Sequence, residues 1–229
     1  MTSKTPWDDV AEEFNTYKDK VYYGAADNME TAWPVVLDFI KNNIPNPKDL
    51  RALDFGCGTG MFCRELKSLG FKSFGIDISP EMIKIGQKHL DKDIILYIGD
   101  VEFAKKLAQD EGKFDLITSI MVLQFIEDEK IKDIVEAVKQ NGYIIFVSHN
   151  PLQLKDRGIK DTFTPGGTNT TIPLYQRSAE DYDKIFLPLG FKRVSEALTA
   201  ESQEFLEKYN IKRTSPHPKY MTLAYQLSK

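Results

Sequence analysis

The chain has few cysteines, few histidines and no long apolar run. Its 229 residues include two cysteines, Cys57 and Cys63, and neither has a histidine or a further cysteine near it at metal-ligand spacing. The sequence therefore predicts neither a metal site nor a disulfide framework. No apolar run reaches membrane-spanning length, and the first residues lack the apolar core of a signal peptide. We expect a protein of the reducing cytoplasm that does not associate with a membrane.

The chain also lacks an excess of basic residues. Its formal net charge is -4 and its isoelectric point lies near 5.5, with lysines and acids interspersed. Proteins whose main partner is a nucleic acid or an anionic membrane concentrate Lys and Arg instead. A chain of this length forms one domain with a full core. We expect a small-molecule ligand, no nucleic-acid partner, and a monomer or homodimer.

After residue 50, short apolar runs alternate with helical patterns, which is typical of a parallel sheet with crossover helices. Ser79 and Pro80 are suited to the N-cap and first turn of one helix. A second helix is predicted over residues 131–142, with Ile131, Ile134, Val135 and Val138 facing inward. The predicted strands of this region are 50–55, 71–77, 94–100, 114–120 and 143–149.

The pattern changes beyond His149. Residues 150–177 contain prolines, a glycine pair and many threonines, and they predict a long loop or lid. Ser178 and Asp181 then form a capping-box pattern before a helix. Two further apolar runs follow, one beginning at Phe191 and one at Tyr220, and they predict two closing strands that can pair as an antiparallel hairpin.

A glycine-rich turn follows the first predicted strand in LDFGCGTGMF, residues 53–62. Glycines at this point of an open α/β sheet let a nucleotide-like ligand approach the backbone. Asp54 would repel a pyrophosphate, and the G-x-G-x-x-G spacing of dinucleotide sites is absent, so a nicotinamide-dependent oxidoreductase is disfavoured. The acid favours a ligand that has a cationic amino group and no phosphate.

These residues resemble the class I S-adenosylmethionine-dependent methyltransferases. The stretch from Asp54 to Gly60 matches the family's first motif, Asp77 stands at the position of its ribose-binding acid, and Gly99-Asp100-Val101 is similar to its motif after the third strand. Residues 119–128 are similar to the segment beside the methionine part of the cofactor. The resemblance covers roughly residues 50–150 and, more loosely, the closing strands.

The resemblance implies a fold and a set of site residues. The expected fold is α/β, Rossmann-like and doubly wound, with a mostly parallel seven-stranded sheet, an antiparallel closing strand and helices on both faces. The whole chain, 1–229, would be one domain. Within it, 1–45 would be a helical lid, 50–149 the cofactor-binding core, 150–177 a substrate lid, and 178–229 the closing helix and strands. The cofactor would be S-adenosylmethionine, bound by Asp54, Gly56, Cys57, Gly58, Gly60, Asp77, Ile78, Asp100, Val101, Ser119, Tyr17 and Tyr22.

The N-terminal segment is rich in aromatic residues. In relatives such a segment folds over the cofactor, with a tyrosine near the methionine carboxylate, and the candidates here are Tyr17, Tyr22 and Tyr23. An amphipathic helix packed on the sheet is an equal alternative, because Trp7, Val10, Phe14 and Tyr17 recur at helical spacing. Phe163 and Tyr175 of the predicted substrate lid would form the opposite wall. Two lids indicate an enclosed small molecule.

His149 ends the fifth predicted strand, on the rim where the methyl group of the cofactor would point. It is the candidate catalytic base for an acceptor that arrives protonated, although the sequence favours the alternative of an orienting or structural role. The sequence favours transfer to N or O of a small aromatic or heterocyclic biosynthetic intermediate. A methyltransferase of RNA or protein and a non-catalytic S-adenosylmethionine-binding module remain alternatives.

Overall fold

A seven-stranded sheet forms the centre of the protein in a computed structural model that describes residues 4–18 and 21–228. The strands are β1 (Arg51–Phe55), β2 (Lys72–Asp77), β3 (Ile95–Ile98), β4 (Phe114–Ile120), β5 (Val138–His149), β6 (Thr162–Phe163), β7 (Ile172–Pro173), β8 (Phe191–Thr199) and β9 (Tyr220–Leu227). The order across the sheet is β3-β2-β1-β4-β5-β9-β8, and β6 and β7 form a separate pair. β1 to β5 run parallel, whereas β9 runs antiparallel to both of its neighbours. The predicted fold class is confirmed.

Helices cover both faces of this sheet. They are α1 (Tyr23–Asp27), α2 (Trp33–Asn43), α3 (Met61–Ser68), α4 (Pro80–His89), α5 (Val101–Glu111), α6 (Asp128–Val135), α7 (Pro151–Asp156), α8 (Ala179–Phe186) and α9 (Gln203–Lys208). Apolar side chains of α5, α6 and α8 pack into one core, and those of α2 and α3 pack into another. No helix in the described part of the chain is both long and apolar enough to span a membrane.

Side-chain caps fix where the helices near the ligand-binding edge begin. Ser79 Oγ accepts a hydrogen bond from the Met82 N–H at 3.2 Å, and Pro80 is the first residue of α4. Ser178 and Asp181 form the reciprocal capping box at the start of α8. These caps satisfy backbone N–H groups that a helix leaves without partners, and both were predicted from the sequence.

Two predicted helices differ from the structure. The helix predicted over 131–142 ends at Val135, and Val138 already pairs with Phe114 as the first residue of β5. Val138 is buried in either arrangement, so apolar spacing could not separate them. The predicted N-terminal helix through Trp7 and Val10 is instead a series of turns over residues 6–14. The predicted loop 150–177 is partly regular, since it contains α7, β6 and β7.

Candidate active site

A cavity of about 790 Å³ lies at the carboxyl ends of the parallel strands. This is the edge at which open α/β sheets bind ligands, and the volume falls within the range of about 300–1,000 Å³ of small-molecule sites. Its walls come from the glycine turn after β1, the N-terminal segment, the turn after β4 and the segment after β5. The cavity therefore brings together segments that are far apart in sequence.

The glycine turn forms one side of the cavity. The Gly56 N–H donates to the Ile76 carbonyl at 2.8 Å, and a Cβ at Gly56 would lie 2.2 Å from Val122 Cγ2. Gly58 adopts a φ of +54°, and a Cβ there would meet open space apart from the Met82 sulfur at 4.0 Å. Gly56 is thus required by packing against protein, whereas Gly58 exposes bare backbone to a ligand.

Asp77 joins the glycine turn to the end of β2. Its Oδ2 accepts from the Gly58 N–H at 2.8 Å, and its Oδ1 accepts from the Ser79 N–H at 2.9 Å. Burial raises the pKa of Asp77, and these backbone donors oppose the shift. An ionised carboxylate has about four lone-pair sites, so each oxygen of Asp77 keeps one for a ligand donor.

Asp54 lies buried at the floor of the cavity, at 3% exposure. Its Oδ1 accepts from the Thr118 hydroxyl at 2.8 Å. Burial raises the pKa of Asp54 to about 7; the Thr118 bond opposes this rise and the Asp77 charge adds to it. The carboxyl group is therefore near its midpoint at neutral pH, and a bound cation would favour its ionised form.

The Gly99-Asp100-Val101 motif, which follows β3, contributes mostly backbone to the cavity edge. Gly99 lies in the cavity wall, as does Ile78, which is 42% exposed. Asp100 Oδ1 caps α5 by accepting from the Phe103 N–H at 3.1 Å, and Val101 packs its side chain into the core. The N–H of Val101, in the first turn of α5, has no intrahelical acceptor and is available to a ligand.

Three other predicted cofactor residues lie behind the cavity wall. The Ser119 hydroxyl donates to the Phe55 carbonyl at 3.0 Å and fastens β4 to β1. The Tyr17 hydroxyl donates to the Thr59 carbonyl at 3.1 Å, and burial raises its pKa to about 12. Gly60 turns the chain into α3. They support the glycine turn rather than line the cavity in the described structure.

Cys57, Tyr22 and Tyr23 do line the cavity. Burial raises the pKa of the Cys57 thiol well above its usual range, so the sulfur is a small neutral group. The Tyr22 and Tyr23 rings lie 4.7 Å apart at the start of α1. The structure thus places eight of the predicted site residues in the wall, namely Asp54, Gly56, Cys57, Gly58, Asp77, Ile78, Tyr22 and His149.

Three aromatic rings of the cavity wall lie together, and we call them the aromatic roof. The Trp7 ring lies 5.5 Å from that of Phe125 and 6.3 Å from that of Phe163, and the latter two are 5.3 Å apart. Each ring comes from a different segment of the chain. Tyr175, which was predicted to form this wall, instead lies 4.7 Å from the Arg177 guanidinium.

Arg177, which the sequence did not single out, ties the turn that contains Phe125 to the segment before α8. Its Nε donates to Asp128 at 2.9 Å, and its Nη1 donates to the Leu123 carbonyl at 3.0 Å. Nη2 donates to the Ile126 carbonyl at 2.7 Å. Only 7% of Arg177 is exposed. The segment before α8 is thereby fixed to the turn after β4. No local sequence motif predicts such a contact, because its partners lie about fifty residues apart.

His149 lies in the cavity wall at the end of β5, as predicted. Its ring stacks on Tyr220 at 5.9 Å, and its buried Nδ1 has no hydrogen-bond partner among the described residues. Burial, reinforced by the charges of Lys219 and Arg157, lowers the pKa of His149 to about 3. The imidazole is therefore neutral across the physiological range.

Comparison with known proteins places the chain in a family. A family model described as a methyltransferase domain matches residues 26–196. The chain is 27% identical over 160 residues to the ubiquinone biosynthesis O-methyltransferase of Paraburkholderia phymatum, covering 66% of each chain. It is 32% identical over 113 residues to the ajmaline N-methyltransferase of Rauvolfia serpentina, covering 46% of this chain and 38% of that enzyme. The chain thus spans less than two thirds of the length of these relatives.

Solved structures share the fold. Magnesium protoporphyrin IX methyltransferase from Synechocystis superposes with a TM-score of 0.65 at 18% identity, over 98% of this chain and 100% of that one. A methyltransferase from Anabaena variabilis gives 0.67 at 16% identity, over 97% and 93%. The family match spans most of the chain and includes the glycine turn and Asp77. The chain belongs to the class I S-adenosylmethionine-dependent methyltransferases.

Proposed function

We propose that the protein transfers the methyl group of S-adenosylmethionine to a nitrogen or oxygen of a small aromatic or heterocyclic molecule. The observation that carries this proposal is one cavity whose two ends differ in chemistry. Acidic side chains and bare glycine backbone form one end, and the aromatic roof forms the other. The names of the two relatives state O- and N-methyl transfer, which supports the same chemistry here.

The acidic end fits the proposed cofactor. S-adenosylmethionine supplies a methyl group already activated on a sulfonium, and it also has an ammonium group. Asp54 lines this end and favours positive charge, while Asp77 keeps a free acceptor site on each oxygen for ribose hydroxyls. Ile78 offers an exposed apolar surface that an adenine ring would cover. Asp100, Val101, Ser119, Gly60 and Tyr17 remain predicted contributors from outside the wall.

The protein's main catalytic task in this proposal is positioning. An acceptor atom must lie in line with the methyl group, and a closed apolar site holds it there and excludes water. His149 is proposed to orient the acceptor by hydrogen bonding, because an imidazole with a pKa of about 3 is a weak base. The cytoplasmic location, the division into lids and core, and the monomeric or homodimeric state remain predictions.

Calorimetric titration of the purified protein with S-adenosylmethionine and with S-adenosylhomocysteine tests the cofactor, and NAD serves as the comparison ligand. We expect both sulfur compounds to bind, NAD not to bind, and Asp77→Ala to abolish binding. A screen of phenols, amines and heterocycles, read by mass spectrometry as a gain of one methylene mass, then tests transfer. Absence of binding by both sulfur compounds would contradict the proposal, and binding without transfer to any acceptor would favour the non-catalytic alternative.

A further inference from the structure

The acceptor side of the cavity contains a hydrogen-bond donor that the protein does not use. Gln124 lies in the wall at only 2% exposure. Its Oε1 accepts from the His149 backbone N–H at 2.8 Å. An N–H group can be accepted by the amide oxygen and not by the amide nitrogen, so this bond fixes the orientation of the carboxamide.

The orientation of Gln124 leaves its Nε2 group without a partner among the described residues. The backbone is held on the other side, because the Gln124 carbonyl accepts from the Tyr175 N–H at 2.7 Å. Nε2 is not one of the fully buried atoms that lack a partner, so it keeps some accessible surface in the cavity that Gln124 lines. It is therefore available to donate to an acceptor atom of a ligand inside the cavity, in the turn that also carries Phe125 of the aromatic roof.

A cation lies on the same side. Arg157 follows α7 and lines the cavity. The ion pairs of arginine in the described chain involve Arg51, Arg64, Arg177 and Arg193, so the Arg157 guanidinium has no carboxylate partner there. An arginine without a partner at a pocket wall is suited to bind an anion through two parallel N–H donors.

The other cation of this wall differs from Arg157. Lys219 pairs with Asp27, which is 1% exposed, and with Glu201 at 3.3 Å. Both carboxylates lie outside the wall of the cavity. Lys219 is thus engaged by the protein itself, although its charge and that of Arg157 together make the surroundings of His149 positive. The acceptor side is apolar at the roof and donor-rich and cationic near His149.

We propose that the methyl acceptor carries a carboxylate, which the Arg157 guanidinium and Gln124 Nε2 bind while its aromatic or apolar body lies against Trp7, Phe125 and Phe163. This inference rests on the proposed methyl transfer and names its substrate class. One unpaired cation with one neutral donor matches a monoanion such as a carboxylate. Gln124 and Arg157 are then specificity-determining residues of the acceptor site.

Tryptophan fluorescence can measure this preference without turnover. The chain has two tryptophans, Trp7 and Trp33, and both line the cavity, so quenching reports its occupancy. The protein is saturated with S-adenosylhomocysteine and titrated with four hydroxyaryl acids, each paired with its primary amide. The acids are 4-hydroxyphenylacetic, 3-(4-hydroxyphenyl)propanoic, 4-hydroxycinnamic and 6-hydroxy-2-naphthoic acid. We expect at least one acid to bind about tenfold more tightly than its amide.

Three variants test which residues cause the preference for the acid over its amide. Arg157→Gln should reduce it to less than about twofold, and Lys155→Gln, which removes a neighbouring exposed charge, should leave it intact. Gln124→Glu keeps an oxygen for the His149 N–H and replaces the amide donor with a negative charge. This variant should therefore remove or reverse the preference, with the fold preserved.

Several outcomes would overturn the inference. The first is equal binding of acid and amide by the unmodified protein for all four pairs. The second is a preference for the acid that survives in Arg157→Gln. The third is a loss of S-adenosylhomocysteine affinity in Arg157→Gln with the preference for the acid unchanged. The last would assign the guanidinium to the cofactor. Intact S-adenosylhomocysteine binding with no acid preference contradicts this inference alone, whereas failure to bind S-adenosylhomocysteine contradicts the proposed function as well.

Discussion

The two ends of the cavity are built in different ways. The cofactor end comes from residues 54–101, where successive turns follow β1, β2 and β3 along one edge of the sheet. The acceptor end joins Trp7, Phe125 and Phe163, which lie more than a hundred residues apart at the extremes. The first end is held by short-range backbone geometry, and the second depends on packing between distant segments.

The largest effect should come from the cofactor end. Asp77→Ala removes the proposed acceptor of two ribose hydroxyls as well as the acceptor of the Gly58 N–H. Charge-assisted hydrogen bonds contribute about 1.5–3 kcal/mol each, so S-adenosylmethionine affinity should fall at least about a hundredfold in calorimetry. Asp91→Ala is the control, because the partner of that exposed carboxylate among the described residues is surface Lys67, at 2.9 Å. An affinity within about threefold of the unmodified protein would remove Asp77 from the site.

A substitution at the acceptor end should change the free energy of unfolding more than it changes cofactor affinity. Arg177→Met removes the side-chain donor to the Ile126 carbonyl and one of the two donors to the Leu123 carbonyl, which keeps the bond from the Ile126 N–H at 3.1 Å. We expect a loss of about 2–3 kcal/mol in the free energy of unfolding, measured by urea titration. Arg64→Met, on an exposed side chain, should change it by less than about 0.5 kcal/mol. Equal effects of the two variants would show that the roof does not depend on Arg177.

The same contrast explains what the sequence could reveal. The glycine turn and the Ser79 cap follow from local spacing, Asp77 follows from the resemblance to the family, and the alternating apolar runs yielded the sheet and its closing strands. Asp100 matches the family motif after the third strand and also caps α5, and spacing alone cannot separate a cofactor-binding role from a capping role. No sequence pattern predicted a role for Gln124, because the orientation of its amide is fixed only when β5 brings the His149 N–H to it.

Asp54 offers a pH test of the cofactor end. With a pKa of about 7, Asp54 is mostly protonated at pH 6 and mostly ionised at pH 8. If the ionised form binds the cationic cofactor, affinity for S-adenosylmethionine should rise about tenfold between these values. Asp54→Asn should bind weakly at both, with no such rise. His149, with a pKa of about 3, does not titrate in this range.

Stability of the free protein should change in the opposite direction. The pKa of Asp54 is raised from 3.8, so between pH 3.8 and about 7 the folded state binds more protons at this site than the unfolded state. The contribution of Asp54 to stability is therefore present at low pH and is lost as pH rises through 7. Asp54→Asn should flatten this part of the profile of unfolding free energy. An unfolding free-energy profile in Asp54→Asn that is as steep as that of the unmodified protein would contradict this expectation.

The aromatic roof should affect the acceptor and spare the cofactor. Trp7→Ala removes one of the three rings against which the acceptor is proposed to lie, and an aromatic contact contributes about 0.5–1.5 kcal/mol, so KM for an acceptor should rise about tenfold. Affinity for S-adenosylhomocysteine should stay within about twofold. Phe39→Ala removes a ring packed on Tyr143 outside the cavity and is the control. A larger effect on S-adenosylhomocysteine than on the acceptor would abolish the proposed division of the cavity.

His149 should give the smallest kinetic effect. His149→Gln keeps hydrogen-bonding capacity, so kcat/KM should fall less than about tenfold, whereas loss of a general base costs about 10²–10⁴. The pH profile between 6 and 8 should keep its shape, because a group with a pKa of about 3 does not titrate there. His217→Gln, outside the cavity, is the control.

The pH dependence of the unfolding free energy gives a second test of His149. The folded pKa of about 3 lies below the usual 6.5, so the unfolded state binds more protons at this site as pH falls below 6.5. Stability from the neutral buried ring is present above that value and is lost on acidification, and His149→Gln should unfold less readily in acid. If the variant instead loses a hundredfold in kcat/KM and the acid limb of its pH profile, the bound acceptor must raise the pKa of His149, and the residue acts as the base.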